Sequence, residues 1–141
     1  MIIIDTNVVS EAMRVAPSRA VLNWLNDRDP ALLFVTAVSI AEISFGINVL
    51  PEGRRRRNLA VNFDRFIDTG FHSRVLNFDD VAAWIYGEVM GYRRSIGRPM
   101  SVPDGQIASI ARLNKFALAT RNIKDFEDCG LSLIDPFESQ D

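Results

Sequence analysis

Apolar residues follow two rhythms along this chain. Ile2 to Ile4, Leu32 to Val35 and Phe116 to Ala119 are short unbroken runs of strand length, which predicts strands buried on both faces. Arg74 to Phe78 reads as a weaker strand, and Leu131 to Ile134 as a last edge strand before Pro136 and a polar tail. Between these runs the apolar positions recur at helical spacing. Asn7 to Met13 predicts a brief helix. Pro17 and Ser18 open another, with Val21, Leu22, Trp24 and Leu25 as its stripe. Ser39 is placed to cap a helix running towards Leu50, where Pro51 and Gly53 stop it. Leu59, Phe63, Phe66 and Ile67 mark a helix ended by Gly70. Asp79 begins a long one carrying Val81, Ala82, Ile85, Val89 and Tyr92, closed by Gly97 and Pro99. Pro103 opens a shorter helix with Ile107, Ile110, Ala111 and Leu113 inside.

Strands alternating with helices imply parallel pairing through right-handed crossovers. The expected fold is therefore α/β, a three-layer α/β/α sandwich with a central parallel sheet, in a single domain over residues 1–141. In such sheets ligands sit outside the carboxyl ends of the strands, so the fold locates a site before any residue is chosen.

Composition narrows the partners. Apolar residues at 48% and charged residues at 24% are ordinary for a globule. No apolar stretch approaches the roughly 20 residues that span a membrane, and no export signal is visible. With Cys129 the only cysteine, a reducing cytoplasm is the expected compartment. A catalytic thiol or serine would want a histidine, and the one present, His72 in "GFHSR", has no nucleophile elbow beside it. Net charge is −2, and the basic charge is nearly all arginine. Arg54, Arg55, Arg56 and Arg57 fit a solvated helix start, a contact with a partner protein or a contact with RNA phosphate. Arg93, Arg94 and Arg98 favour a helix C-terminus, or steer RNA.

Four acids have the address the sheet rule demands. Asp5 ends the first strand, Glu42 lies in the first turn of the helix after the second, Asp104 opens the helix in "SVPDGQIA", and Asp125 follows the late strand in "ALATRNIKDF". Singly each reads as a helix cap: Ser39 to Glu42 and Ser101 to Asp104 have capping-box spacing, and Asn122 with Asp125, or Asp5 alone, can cap a turn. Together, carboxylates at one sheet edge repel one another and raise one another's pKa, a conflict that a divalent cation removes. Oxygen ligands without paired histidines or cysteines favour Mg²⁺ or Mn²⁺ over zinc. Haloacid-dehalogenase chemistry is excluded by Asn7 where a second aspartate is needed, and no P-loop or GxGxxG is present.

"MIIIDTNVVSE", "TAVSIAEISFGI", "SVPDGQIASIA" and "ALATRNIKDFE", in that order, resemble the PIN-domain ribonucleases, in particular the VapC toxins and their FitB-like relatives. The resemblance implies a metal-dependent endoribonuclease using Mg²⁺ or Mn²⁺, the toxin of a bacterial toxin–antitoxin module. It implies inhibition by a cognate antitoxin, operator DNA bound only through that antitoxin, tRNA or rRNA as substrate class, and a homodimer. Asp5, Glu42 and Asp104 match the family's metal-binding acids, with Asp125 beside them as a further catalytic acid. Thr6, Asn7, Thr120 and Asn122 match polar residues that orient carboxylates and water, and Arg121 adjoins the site as a candidate substrate contact. Many family members carry aspartate where this chain has Asn122, so either Asn122 or Asp125 is the fourth ligand. That substitution supports the alternative of a PIN-fold protein acting mainly in antitoxin and operator binding, or in RNA processing, with weak or no nuclease activity. For the dimer, Trp24, Phe45, Ile47 and the Phe63–Phe66 region are the expected apolar surface.

Overall fold

The computed structural model describes residues 1–138. In chain order its elements are β1 (Ile2–Ile4), α1 (Thr6–Ala12), α2 (Arg19–Asn26), β2 (Leu33–Thr36), α3 (Ala37–Asn48), α4 (Arg54–Phe71), β3 (Val75–Leu76), α5 (Asp80–Ser95), α6 (Val102–Asn114), β4 (Ala117–Ala119), α7 (Ile123–Phe126) and β5 (Leu133–Ile134). The five strands form one sheet in the order β3-β2-β1-β4-β5, and every pairing is parallel.

Alternation along each strand builds the three layers. Ile4, Leu33, Val35 and Ala119 face α1 to α4, packing with Val8, Val9, Val21, Trp24, Ile47 and Phe63. Ile3 and Leu118 point the other way, into Ala82, Val89, Ile107, Ile110 and Phe126 from α5, α6 and α7. Strands so enclosed carry no polar face, which is why their sequences read as unbroken apolar runs. After β1 the chain fills one side of the sheet with β2 and β3, then crosses back to place β4 on the other. The order of strands reverses at β1, and a crevice opens between the carboxyl ends of β1 and β4.

Several expectations are corrected here. Thr36, not Ser39, caps α3: its hydroxyl accepts the Ser39 N–H at 3.1 Å. Glu42 accordingly lies in the second turn and has no capping role. The four arginines form the first turn of α4, as a helix start would have them, but Gly70 does not end that helix, which runs on to Phe71. Val81 and Tyr92 are exposed rather than part of the α5 stripe. Trp24, Ile47 and Phe63 are buried in the monomer, so of the expected dimer surface Phe45 is the large exposed side chain. No helix among the described residues is long and apolar enough to cross a membrane.

Candidate active site

An open cavity of about 550 Å³ occupies the crevice at the carboxyl edge of the sheet, lined by Asp5, Thr6, Asn7, Glu42, Asp104, Arg121 and Asn122, with Ser10, Glu11, Arg14 and Phe137 completing its walls. Besides α1, which carries Thr6, Asn7, Ser10 and Glu11, four places in the chain deliver its polar groups. The end of β1 delivers Asp5, α3 brings Glu42, and the first turn of α6 brings Asp104. The turn after β4 brings Arg121 and Asn122, with Thr120 buried behind Asp5.

The structure separates capping side chains from cavity-lining ones. Asp5 stands at the N-cap position of α1, yet its carboxylate makes no cap hydrogen bond. Its Oδ2 instead accepts the Thr120 hydroxyl at 2.9 Å and the Asn7 amide at 3.2 Å. Asn7 in turn takes the Arg121 N–H at 3.2 Å through its carbonyl oxygen, tying α1 to the β4 turn. Asn122 likewise caps α7 by position only, with no side-chain cap bond. At α6 the cap reading holds for Ser101, whose hydroxyl accepts the Asp104 N–H at 3.3 Å, and the Asp104 carboxylate lines the cavity.

Glu42 is fixed by a line of hydroxyls. Thr6 donates to its Oε1 at 2.8 Å. Because the single Thr6 proton is spent there, the 2.8 Å contact between Thr6 and Ser39 has Ser39 as donor. Thr36 donates to the Ser39 hydroxyl at 3.4 Å. The bonds therefore all run one way, from the buried end of β2 to the carboxylate.

Electrostatics follow from this enclosure. Burial raises the Asp5 carboxyl from 3.8 to about 6; the Thr6 N–H and the Thr120 hydroxyl oppose the rise, and the charges of Asp104 and Glu42 add to it. Asp104 is also raised, first by burial and then by the charges of Asp125 and Glu42, with the Ser101 hydroxyl and the Arg93 charge opposing. Mutual repulsion through the cavity is thus a property of this arrangement. Oxygen-only donors, collectively anionic and partly desolvated, fit a hard divalent cation. They form an open cup: among the described residues no three acids, histidines or cysteines are drawn together tightly enough to make a finished cage.

Asp125 stands apart. It is exposed and does not line the cavity, and it acts on Asp104 through its charge. Arg121 does line it, with its guanidinium 4.7 Å from the centre of the Phe137 ring. Sequence reasoning missed Glu11 and Arg14. Glu11 is buried in the cavity wall, where it accepts both Arg14, at 3.2 Å, and the Ser18 N–H at 3.4 Å. Arg14 lies just past the end of α1, and nothing in the local pattern placed either residue at the cavity.

Comparison with known proteins gives a consistent result. Residues 2–130 match the PIN domain. The chain is 36% identical to a VapC ribonuclease of Sinorhizobium fredii over 98% of its own length and 99% of that protein. It is 30% identical to toxin FitB of Neisseria gonorrhoeae over 97% and 99%. It superposes on a chain of the FitAB complex bound to an IR36 DNA fragment with a TM-score of 0.93, at 29% identity, covering 100% of this chain and 99% of that one.

Proposed function

This chain belongs to the PIN-domain family, and from that membership and the acidic cavity we propose that it is a metal-dependent endoribonuclease, the toxin of a bacterial toxin–antitoxin module. The observation that carries the reading is the convergence of Asp5, Glu42 and Asp104, far apart in sequence, on one cavity at the strand ends.

Asp5 and Asp104 would hold Mg²⁺, with Mn²⁺ as substitute, and Glu42 would complete the set or orient the attacking water. Bound there, the cation supplies charge neutralisation on the phosphate and a more acidic water. Thr120 and Asn7 hold the Asp5 carboxylate, and Thr6 holds Glu42. Asn122 offers a neutral carbonyl oxygen at the fourth corner, and Asp125 acts through its charge on Asp104. Arg121, steadied on Phe137, meets a substrate phosphate. Water attacks phosphorus in line and the bond to the 3′ oxygen breaks, leaving a 5′-phosphate and a 3′-hydroxyl. Unpaired loops of tRNA or rRNA are the substrate class, recognised by shape.

The partner is an antitoxin, and operator DNA is reached only through it. A groove of about 1000 Å³ adjoins the cavity and shares Ser10 and Arg14 with it. Met13, Val15, Ile43, Ile47 and Leu59 supply its apolar wall, and Arg54 and Arg55 its rim. An antitoxin segment seated there covers the exposed Val15 and gives the arginine run a protein contact. The chain pairs with a second copy through the exposed aromatic side chains Phe45, Trp84 and Tyr92.

The activity test uses purified, antitoxin-free protein on total cellular RNA, with and without chelator, and maps product ends by sequencing. The expected result is chelator-sensitive cleavage leaving 5′-phosphates. Products ending in 2′,3′-cyclic phosphate overturn the mechanism, because they require the ribose hydroxyl as nucleophile. Full activity of the chelated protein overturns the metal.

A further inference from the structure

Arg93 lies in the last turn of α5, where a cation suits the helix dipole, but it does not reach solvent: only 4% of it is exposed. Among the described residues no carboxylate lies within ion-pair distance of its guanidinium. It donates instead to backbone carbonyls, from Nε to Arg98 at 2.6 Å and from Nη1 to Asp125 at 3.2 Å and to Glu127. The Cys129 thiol lies at 3.9 Å from Nη1. A guanidinium buried without a carboxylate is costly, so packing alone would favour an apolar side chain at this position. Both Nη1 bonds fall on one short stretch, the carbonyls of residues 125 and 127, and the Nε bond ties in Arg98.

Arg98 grips the same segment from outside. Its Nη1 meets Asp128 at 2.9 Å, and its Nη2 meets Glu127 at 3.1 Å and the Lys124 carbonyl at 3.1 Å. The two arginines are themselves joined by the Arg93 bond to the Arg98 carbonyl. The segment needs such support, because α7 is a four-residue helix whose cap residue, Asn122, makes no side-chain cap bond. Asn122 is fixed from the sheet side by its N–H on Thr120 at 3.1 Å, and from the other side only by where α7 lies.

We propose that Arg93 is a positioning residue of the nuclease site: with Arg98 it clasps residues 124–129 and so sets the Asn122 corner of the cavity. The charge of Arg93 also acts on Asp104, opposite in sign to the charges of Asp125 and Glu42. The clasp is a statement about the metal-free chain. Its consequence for catalysis rests on the nuclease reading.

The test compares Arg93→Met, Arg93→Lys and Arg98→Gln with the parent chain by amide hydrogen exchange without metal and by steady-state RNA cleavage with Mg²⁺. Arg93→Met is expected to speed exchange in residues 122–129 at least tenfold and leave β1 and β4 unchanged. Its kcat should fall at least tenfold while KM stays within threefold. Arg93→Lys keeps the charge, but one ammonium cannot span carbonyls that a planar fork reaches, so it is expected to rescue neither quantity. Arg98→Gln, altered at a half-exposed side chain, is expected to loosen the same segment less; it decides the matter if Arg93→Met does not fold. Exchange rising evenly through the core, wild-type behaviour in Arg93→Lys, an unchanged segment in Arg98→Gln, or a loosened segment with undiminished kcat each overturns the proposal. If the parent chain cleaves no RNA, the nuclease reading fails, and the exchange comparison still decides whether the clasp exists.

Discussion

The Asp5 carboxyl, buried and within the field of two other acids, is pushed up from 3.8 to about 6. Its folded-state pKa lies above its unfolded one, so its contribution to stability is fully present below about 3.8 and is lost as pH rises through about 6. The ionised form weighs against the metal-free fold by about 3 kcal/mol at neutral pH. Metal-free protein should therefore melt higher at pH 5 than at pH 7.5, and added Mn²⁺ should recover the difference at pH 7.5. Asp5→Asn should remove most of that pH dependence, raise or leave unchanged the metal-free melting temperature at pH 7.5, and lower Mg²⁺-dependent cleavage at least a hundredfold. A large drop in its melting temperature would return Asp5 to a structural role. At the fourth corner, Asn122→Asp should restore the missing charge. We expect Mn²⁺ affinity by calorimetry to rise on the order of tenfold, with a lower metal-free melting temperature. Tighter binding without destabilisation would mean that residue 122 lies outside the field of the other acids. Asp5 and Asp104 were legible in the sequence because one follows a strand and the other opens a helix; Glu42 was placed near the strand ends, but by a capping spacing that the structure does not use. Glu11 was not: a glutamate on a short helix has no address until the cavity wall is seen.

Helix α6 shows how packing of an element sets a site residue. Asp104 sits in its first turn and Gly105 directly follows, buried against α5. A Cβ at Gly105 would collide with Met90 Sδ and lie 3.0 Å from Tyr86 Cε2, so α5 and α6 approach closely at the point where the carboxylate leaves the helix. Gly105→Ala should cost about 1–3 kcal/mol, read as a lower midpoint in urea, and should lower cleavage beyond what the loss of folded protein explains, because α6 must shift with Asp104 on it. Unchanged stability would show that Met90 swings aside. The line from Thr36 through Ser39 and Thr6 to Glu42 makes the matching prediction for α3. Thr6→Val should lower kcat about tenfold with little effect on KM, and an equal loss in both would point to substrate contact instead. Elements with an apolar stripe and a stop were visible in the sequence almost to their ends. The Ser39–Glu42 spacing misled because Thr36, the last residue of β2, reached the α3 amides first; tertiary position, not local pattern, chose the cap.

Across the whole molecule, a parallel sheet whose strand order reverses at β1 gives the site its place, and the chain then supplies its acids from β1, α3 and α6. Alternating apolar runs and helical stripes announced that architecture. They did not announce which aromatic side chains stay outside: Trp24 and Trp84 both occur in helices, and only the packing of α2 against the sheet shows that the first is buried and the second 82% exposed. Trp84→Glu should convert a dimer into a folded monomer in sedimentation. A parent chain that is already monomeric at micromolar concentration would refute pairing through the exposed side of α5. The most direct check of the account is a manganese-soaked crystal of the antitoxin-free chain, measured at the manganese absorption edge. One anomalous peak is expected within bonding distance of both Asp5 and Asp104, with Glu42 turned towards it. No peak there, with the three carboxylates pointing to separate solvent, would contradict it.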